Sequence, residues 1–120
     1  MSSRVLLGPA SFLPERHFVV VALGRRIQLE EGTFARSALV GRINGEVRAY
    51  ANLCRHLAIP LDMNDGWVMD SAGTELECHH HGARFALDTG ECTFGPCFGK
   101  SLFAMTVVVD EQGTAYLEVP

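Results

Sequence analysis

The chain has no long apolar run. Near the N-terminus the longest unbroken one is Phe18 to Leu23, far too short to span a bilayer, and it lacks the layout of a secretory signal. The protein is therefore expected in the cytoplasm. Internal repeats, low-complexity stretches and blocks of like charge are absent too. Positive charge is in deficit: 10 Lys and Arg face 14 Asp and Glu, a net charge of −4. Nothing in that balance points to nucleic acid or to an anionic membrane. No stretch carries a helical period over more than about two turns. Histidine is scarce outside one region, since His17 alone precedes residue 56.

What is present fits one soluble globular domain of 120 residues, 48% apolar, able to bury a modest core without staples. The pattern is all-β. Val47, Ala49 and Ala51 alternate with Glu46, Arg48 and Tyr50, as on a half-buried strand. Asn44-Gly45 before them is a two-residue hairpin signal and joins that strand to Ala35–Ile43. Ser101–Val109 and Thr114–Val119 flank a second turn at Asp110-Glu111-Gln112-Gly113. Leu76 and Cys78 alternate with Glu75 and Glu77. Earlier strands are predicted at Arg16–Leu23 and Arg26–Leu29. Gly8, Pro9 and Pro14 predict a loop over residues 8–14.

Residues 52–100 differ from their flanks. They hold all four cysteines, four of the five histidines and Trp67. The expected organisation is a β base from residues 1–51 and 101–120, an antiparallel sandwich or barrel closed by strands from both parts, with a small metal-binding subdomain inserted between them. Cysteines in a cytosolic protein suggest metal or redox chemistry before a disulfide framework.

Two short motifs in this insert carry the chemistry: Cys54-Arg55-His56 and Cys78-His79-His80-His81-Gly82. Each contributes one thiol and one imidazole. Two sulfur and two nitrogen donors suit a tetrahedral zinc ion, or an iron–sulfur cluster in which histidines replace two cysteines. Cys78 and His81 have the spacing of half a structural zinc site. Cys54 and His56, with one residue between, fit it poorly, because alternate residues of an extended chain point to opposite faces. Two irons relax that demand. On spacing alone both readings stand.

The wider segments are similar to one family. Cys54-Arg55-His56-Leu57-Ala58-Ile59-Pro60-Leu61 resembles the first cluster-binding loop of Rieske proteins, and Cys78-His79-His80-His81-Gly82-Ala83-Arg84-Phe85 the second. Asp88-Thr89-Gly90-Glu91 and Gly95-Pro96 look like the family's following turn and its proline loop. The resemblance covers roughly residues 47 to 102. It implies a Rieske-like fold and one 2Fe-2S cluster, with Cys54 and Cys78 on the inner iron and His56 and His81, through Nδ1, on the outer one. Two ferric ions, two sulfides and two thiolates sum to zero charge, so one-electron reduction leaves a small charge in a partly dry pocket.

The resemblance also sorts the chain within the family. The high-potential branch carries a disulfide between its two loops, where this chain has Ile59 and His80. That branch also donates hydroxyl hydrogen bonds from positions that here are Ala83 and Phe85. The resemblance thus implies the low-potential, ferredoxin-like branch. A mononuclear iron site needs two histidines and a carboxylate, and only His17 remains to serve one. The expected role is an electron carrier, not an enzyme, between a reductase and a terminal oxygenase. A redox- or iron-sensing accessory protein is the alternative.

Between His56 and Cys78 lie 21 residues (positions 57–77), a few more than the family's usual gap. The surplus, Asp62–Thr74, is predicted as a hairpin carrying Trp67 and Val68. His79 and His80 are expected as loop residues, one facing solvent and one packed at the cluster's edge. Arg55 and Arg84 are expected as surface charges, ion-pair members or contacts to an acidic partner. Leu57, Ile59, Pro96 and Phe98 could form an apolar rim that shields the cluster or docks a redox partner. Cys92 and Cys97, five apart around Gly95-Pro96, are either two thiols or a disulfide bracing the proline loop. His17, Trp67 and the methionines are read as structural.

Overall fold

A computed structural model describes residues 3–56 and 58–119. Nine strands follow in chain order: β1 Ser3–Pro9, β2 Val19–Glu30, β3 Thr33–Ile43, β4 Glu46–Ala51, β5 Leu76–Glu77, β6 Arg84–Phe85, β7 Cys92–Phe94, β8 Ala104–Val109 and β9 Thr114–Val119. Six of them form one antiparallel, barrel-like sheet in the order β1-β9-β8-β4-β3-β2, and β5-β6-β7 form a second, small antiparallel sheet. The large sheet combines strands from before and after the insert through the β4–β8 pairing at Ala49↔Met105 and Tyr50↔Ala104.

The β3–β4 hairpin forms because Asn44 and Gly45 accept φ values of 52° and 83°, the left-handed pair a two-residue turn requires. The Glu15 carboxylate fastens the turn, accepting hydrogen bonds from the backbone N–H of Asn44 (2.6 Å) and Gly45 (2.9 Å).

Strands β3 and β4 are buried on both faces, and this seats the small sheet. Ala38, Val40 and Ala49 turn into a core with Leu23, Ile27, Ala115, Leu117 and Val119. Leu39, Ile43 and Tyr50 turn the other way, into a second core with Leu61, Val68, Met69, Leu76, Phe85 and Leu102. Leu39, Leu61, Leu76 and Phe85 are fully buried there, and each stabilises the seating by roughly 2 kcal/mol through apolar area removed from water.

Several sequence expectations need correction. The two early strands are one, β2, with a register irregularity between Ala22 and Ile27; the bulged residues, including Gly24 at φ 79°, read as a break. Gly8 and Pro9 end a strand, β1, that pairs with β9. Pro9 is tolerated because β1 lies at the sheet's edge, where no N–H is needed. The expected loop holds from Ala10 to Pro14 and opens with a short 3-10 helix at Ala10–Phe12. Strand β8 begins at Ala104, not Ser101, because Ser101 bridges to Glu91 and Leu102 N–H donates to Gly90 O, drawing 101–102 toward the insert. Within Asp62–Thr74 only the second half enters a hairpin, and its partner is β5: Met69 bridges Leu76, Asp70 N–H donates to Glu75 O (2.9 Å) and Glu77 N–H to Val68 O (2.8 Å). Asp70 closes the turn between them by accepting hydrogen bonds from Thr74 N–H (2.8 Å), Thr74 Oγ1 (3.1 Å) and Glu75 N–H (3.2 Å). No helix among the described residues is long and apolar enough to cross a membrane.

Candidate metal centre

The first donor loop leaves the end of β4. Cys54 N–H donates to Ile59 O at 2.7 Å and holds these two residues together. The second joins β5 to β6. Cys78 N–H donates to Ala83 O (2.8 Å) and Gly82 N–H to Cys78 O (2.7 Å), so the chain reverses within six residues. A third bond, from His79 N–H to Leu61 O at 2.8 Å, ties the two loops together.

This framework sorts the four donors by depth. Cys54 and Cys78 are 2% and 0% exposed, and their thiols are hydrogen-bonded to each other. That bond, with burial, holds the Cys78 thiol far above the usual cysteine range, against the backbone N–H groups of His80 and His81 that favour its thiolate. His56 is half-buried and His81 exposed, with ring centroids 5.3 Å apart and planes at 85°. The four donors thus form a buried sulfur pair and an outward imidazole pair. Among the described residues, no three His, Cys, Asp or Glu donors meet as one ion would need.

Nδ1 of His56 is buried and has no hydrogen-bond partner. A ring nitrogen stripped of water costs free energy unless something else takes its lone pair. A metal-bound group at this point removes that cost, and the adjoining thiol pair supplies the soft, anionic ligands that iron in a sulfide cluster requires.

The neighbouring residues act as supports. His79 is half-buried, with Nε2 2.8 Å from Met69 O, the ring nitrogen donating to that carbonyl; Nδ1 lies 3.7 Å from Glu77. His80 is exposed, with Nε2 3.1 Å from Asp62 O. The expected division, one packed and one facing solvent, holds. Arg55 donates to Ser101 O at 2.7 Å and covers the Phe103 ring at 4.2 Å. Arg84 pairs with Glu77 at 3.5 Å and covers Phe94. Both arginines tie the insert to itself and to its flank. His17 packs on Trp67, ring centroids 5.5 Å apart. Of the apolar rim, Pro96 and Phe98 are exposed and Ile59 is half-buried; Leu57 lies outside the described residues.

Asn52 was not legible as a site residue. It is 2% exposed, and its side chain is fully engaged. Oδ1 accepts from Leu61 N–H (2.8 Å), while Nδ2 donates to Ser37 Oγ (3.0 Å) and Asp62 Oδ1 (2.9 Å). Asn52 and Leu61 bracket Cys54 and His56, so one amide pins both ends of the first donor loop. The only sequence signal is a polar residue between Ala51 and Leu53, too common to interpret. Asn52→Leu keeps the branched side-chain shape but leaves Leu61 N–H without its acceptor and Asp62 Oδ1 without its Asn52 donor. We expect it to cost about 3 kcal/mol of unfolding free energy, measured by urea titration, and to loosen the first loop.

The proline loop completes the wall. Gly95 has φ 109°, and a Cβ there would lie 3.1 Å from Ala83 Cα, so the loop presses on the second donor loop's backbone.

A search of curated proteins gives no match. Among solved structures, the chain is similar to the ferredoxin of carbazole 1,9a-dioxygenase from Nocardioides aromaticivorans IC177, with 30% identity over 98% of each chain and a TM-score of 0.61. It is similar to the Sphingomonas yanoikuyae B1 ferredoxin, with 25% identity, 98% and 100% coverage and a TM-score of 0.61. It also matches a chain in a complex of reduced oxygenase and oxidised ferredoxin in carbazole 1,9a-dioxygenase, with 26% identity, 95% and 91% coverage and a TM-score of 0.62. Residues 4–112, which take in both donor loops and the strands that carry them, match the Rieske [2Fe-2S] domain, and the chain belongs to that family.

Proposed function

We propose that the protein is a cytoplasmic Rieske ferredoxin that carries single electrons from a reductase to a terminal oxygenase. A 2Fe-2S cluster held at the donor site would supply a one-electron couple. Cys54 and Cys78 supply thiolates from the buried side, and His56 and His81 supply imidazole nitrogens from the exposed side. The observation that carries this reading is the sorting of donors by depth, together with the buried, unpartnered Nδ1 of His56. The ferredoxin relatives, one of them from a complex with an oxygenase, support the choice of partner.

The residues around the site do the rest. Burial of the thiols excludes water from the sulfur side. The imidazoles at the surface shorten the path to a docked partner, whose interface for such an exchange is small and transient. The two sheets support one domain over residues 1–120, with a base of 1–51 and 101–120 and a cluster-binding subdomain of 52–100.

Metal and labile-sulfide analysis with an EPR spectrum of the dithionite-reduced protein tests the cofactor. A colourless protein holding one zinc and no sulfide would end the proposal. Sustained reduction of an oxygenase by a reductase through this protein tests the role.

The potential follows from the surroundings. Ala83 and Phe85, both fully buried, offer no hydroxyl, and Ile59 and His80 form no bridge. The donors to Cys78 are backbone N–H groups of His80 and His81. Fewer donors stabilise the added electron less. The midpoint at neutral pH is expected below zero, toward the low end of the Rieske span of roughly −150 to +300 mV. Voltammetry well above zero contradicts it.

A further inference from the structure

Cys92 and Cys97 stand outside the four-donor site. Each is 2% exposed, and their Sγ atoms are 2.8 Å apart. That separation is shorter than the roughly 3.5–4 Å of ordinary heavy-atom packing. It is also too short for two sulfurs on one metal: ligands about 2.3 Å from a tetrahedral ion lie about 3.8 Å from each other. The two are free thiols here, one hydrogen-bonded to the other, and a disulfide at about 2.05 Å asks the sulfurs for only a short further approach.

The backbone has already brought the pair together. Cys92 N–H donates to Lys100 O (2.8 Å), and Lys100 N–H donates to Cys97 O (2.9 Å). Phe98 N–H donates to Gly95 O (3.2 Å), folding the turn that Pro96 occupies. Closing the bond therefore orders little that is not ordered already.

We infer that Cys92 and Cys97 form a reversible disulfide that staples the Gly95-Pro96 turn against the second donor loop. The oxidant is a small-molecule disulfide of the glutathione class. One cysteine thiolate attacks a sulfur of that disulfide, releasing one small thiol and leaving a mixed disulfide on the protein. The second cysteine sulfur then attacks the first, and the second small thiol leaves. Two electrons pass from the cysteine pair to the small disulfide, and the two cysteine protons end on the released thiols. Because both thiols are buried, exchange proceeds through local opening of residues 92–100. Gly95 packs on Ala83, whose carbonyl receives Cys78 N–H, so the staple stiffens the wall beside Cys78.

Trypsin gives one peptide, residues 85–100, that carries both cysteines and no other. Purified holoprotein is divided between glutathione disulfide and a phosphine reductant, then alkylated with iodoacetamide in denaturant and digested. The oxidised sample should yield this peptide unalkylated and lighter by two hydrogens; the reduced sample should yield it doubly alkylated. Cys92→Ser should instead retain glutathione on Cys97, proving that the reagent reaches the site. Double alkylation in the oxidised wild type overturns the inference.

The second readout rests on the ferredoxin reading. Iron release to a chelator should be about fivefold slower from the oxidised holoprotein than from the reduced one, and the Cys92→Ser/Cys97→Ser variant should lose that difference. Equal rates in both wild-type forms sink the stapling role. Protein isolated without iron and sulfide refutes the ferredoxin reading instead, and leaves the peptide masses to decide the bridge.

Discussion

Cys54→Ser should yield a folded, colourless protein with neither stoichiometric iron nor labile sulfide. A serine hydroxyl at a 2% exposed position cannot supply the anion that a thiol supplies, because its alkoxide is far costlier to form and to bury. The three remaining donors leave one metal position a ligand short. The fold should survive, since the six-stranded sheet and its core draw on none of the four donors. Far-UV circular dichroism should therefore change little, while the visible absorption and the EPR signal of the reduced protein vanish. Cys92 and Cys97 lie in the same buried cluster of residues as Cys54 and are the spare thiols placed to substitute. A Cys54→Ser protein that keeps its colour until both are also replaced would show such a substitution; one that keeps it even then would remove Cys54 from the ligand set.

The parts legible in the sequence are those written in local signals. Asn44-Gly45 and the alternation of Val47, Ala49 and Ala51 marked a hairpin whose register follows from two positive-φ residues. The two Cys-His loops were legible as neighbours in one region, and the bond from His79 N–H to Leu61 O ties them together. What stayed hidden depends on partners distant in sequence. Strand β1 contains Gly8 and Pro9 and takes its strand character from pairing with β9, more than a hundred residues later. The bulge in β2 looks like a turn until β3 is laid beside it. Residues 101–102 have a strand's composition, yet Gly90 O and Glu91 claim their hydrogen bonds. Asn52 is the sharpest case. Its role comes from reaching Ser37, Leu61 and Asp62 at once, and no window around residue 52 contains all three.

His81→Cys should keep a cluster and lower its potential by roughly 200 mV, the order of the gap between histidine-ligated and all-cysteine 2Fe-2S centres. The substitution replaces a neutral donor with a thiolate, so the site carries one more negative charge in each redox state, and adding an electron becomes harder. Position 81 should accept the change: it is exposed, so the new charge is partly solvated and no packing is lost. His56→Cys should shift the potential the same way, but at a half-buried position whose Nδ1 is shut off from water, and the yield of intact protein should fall further. Film voltammetry at neutral pH reads both shifts. An unchanged potential in His81→Cys with the cluster intact would take that histidine out of the ligand set.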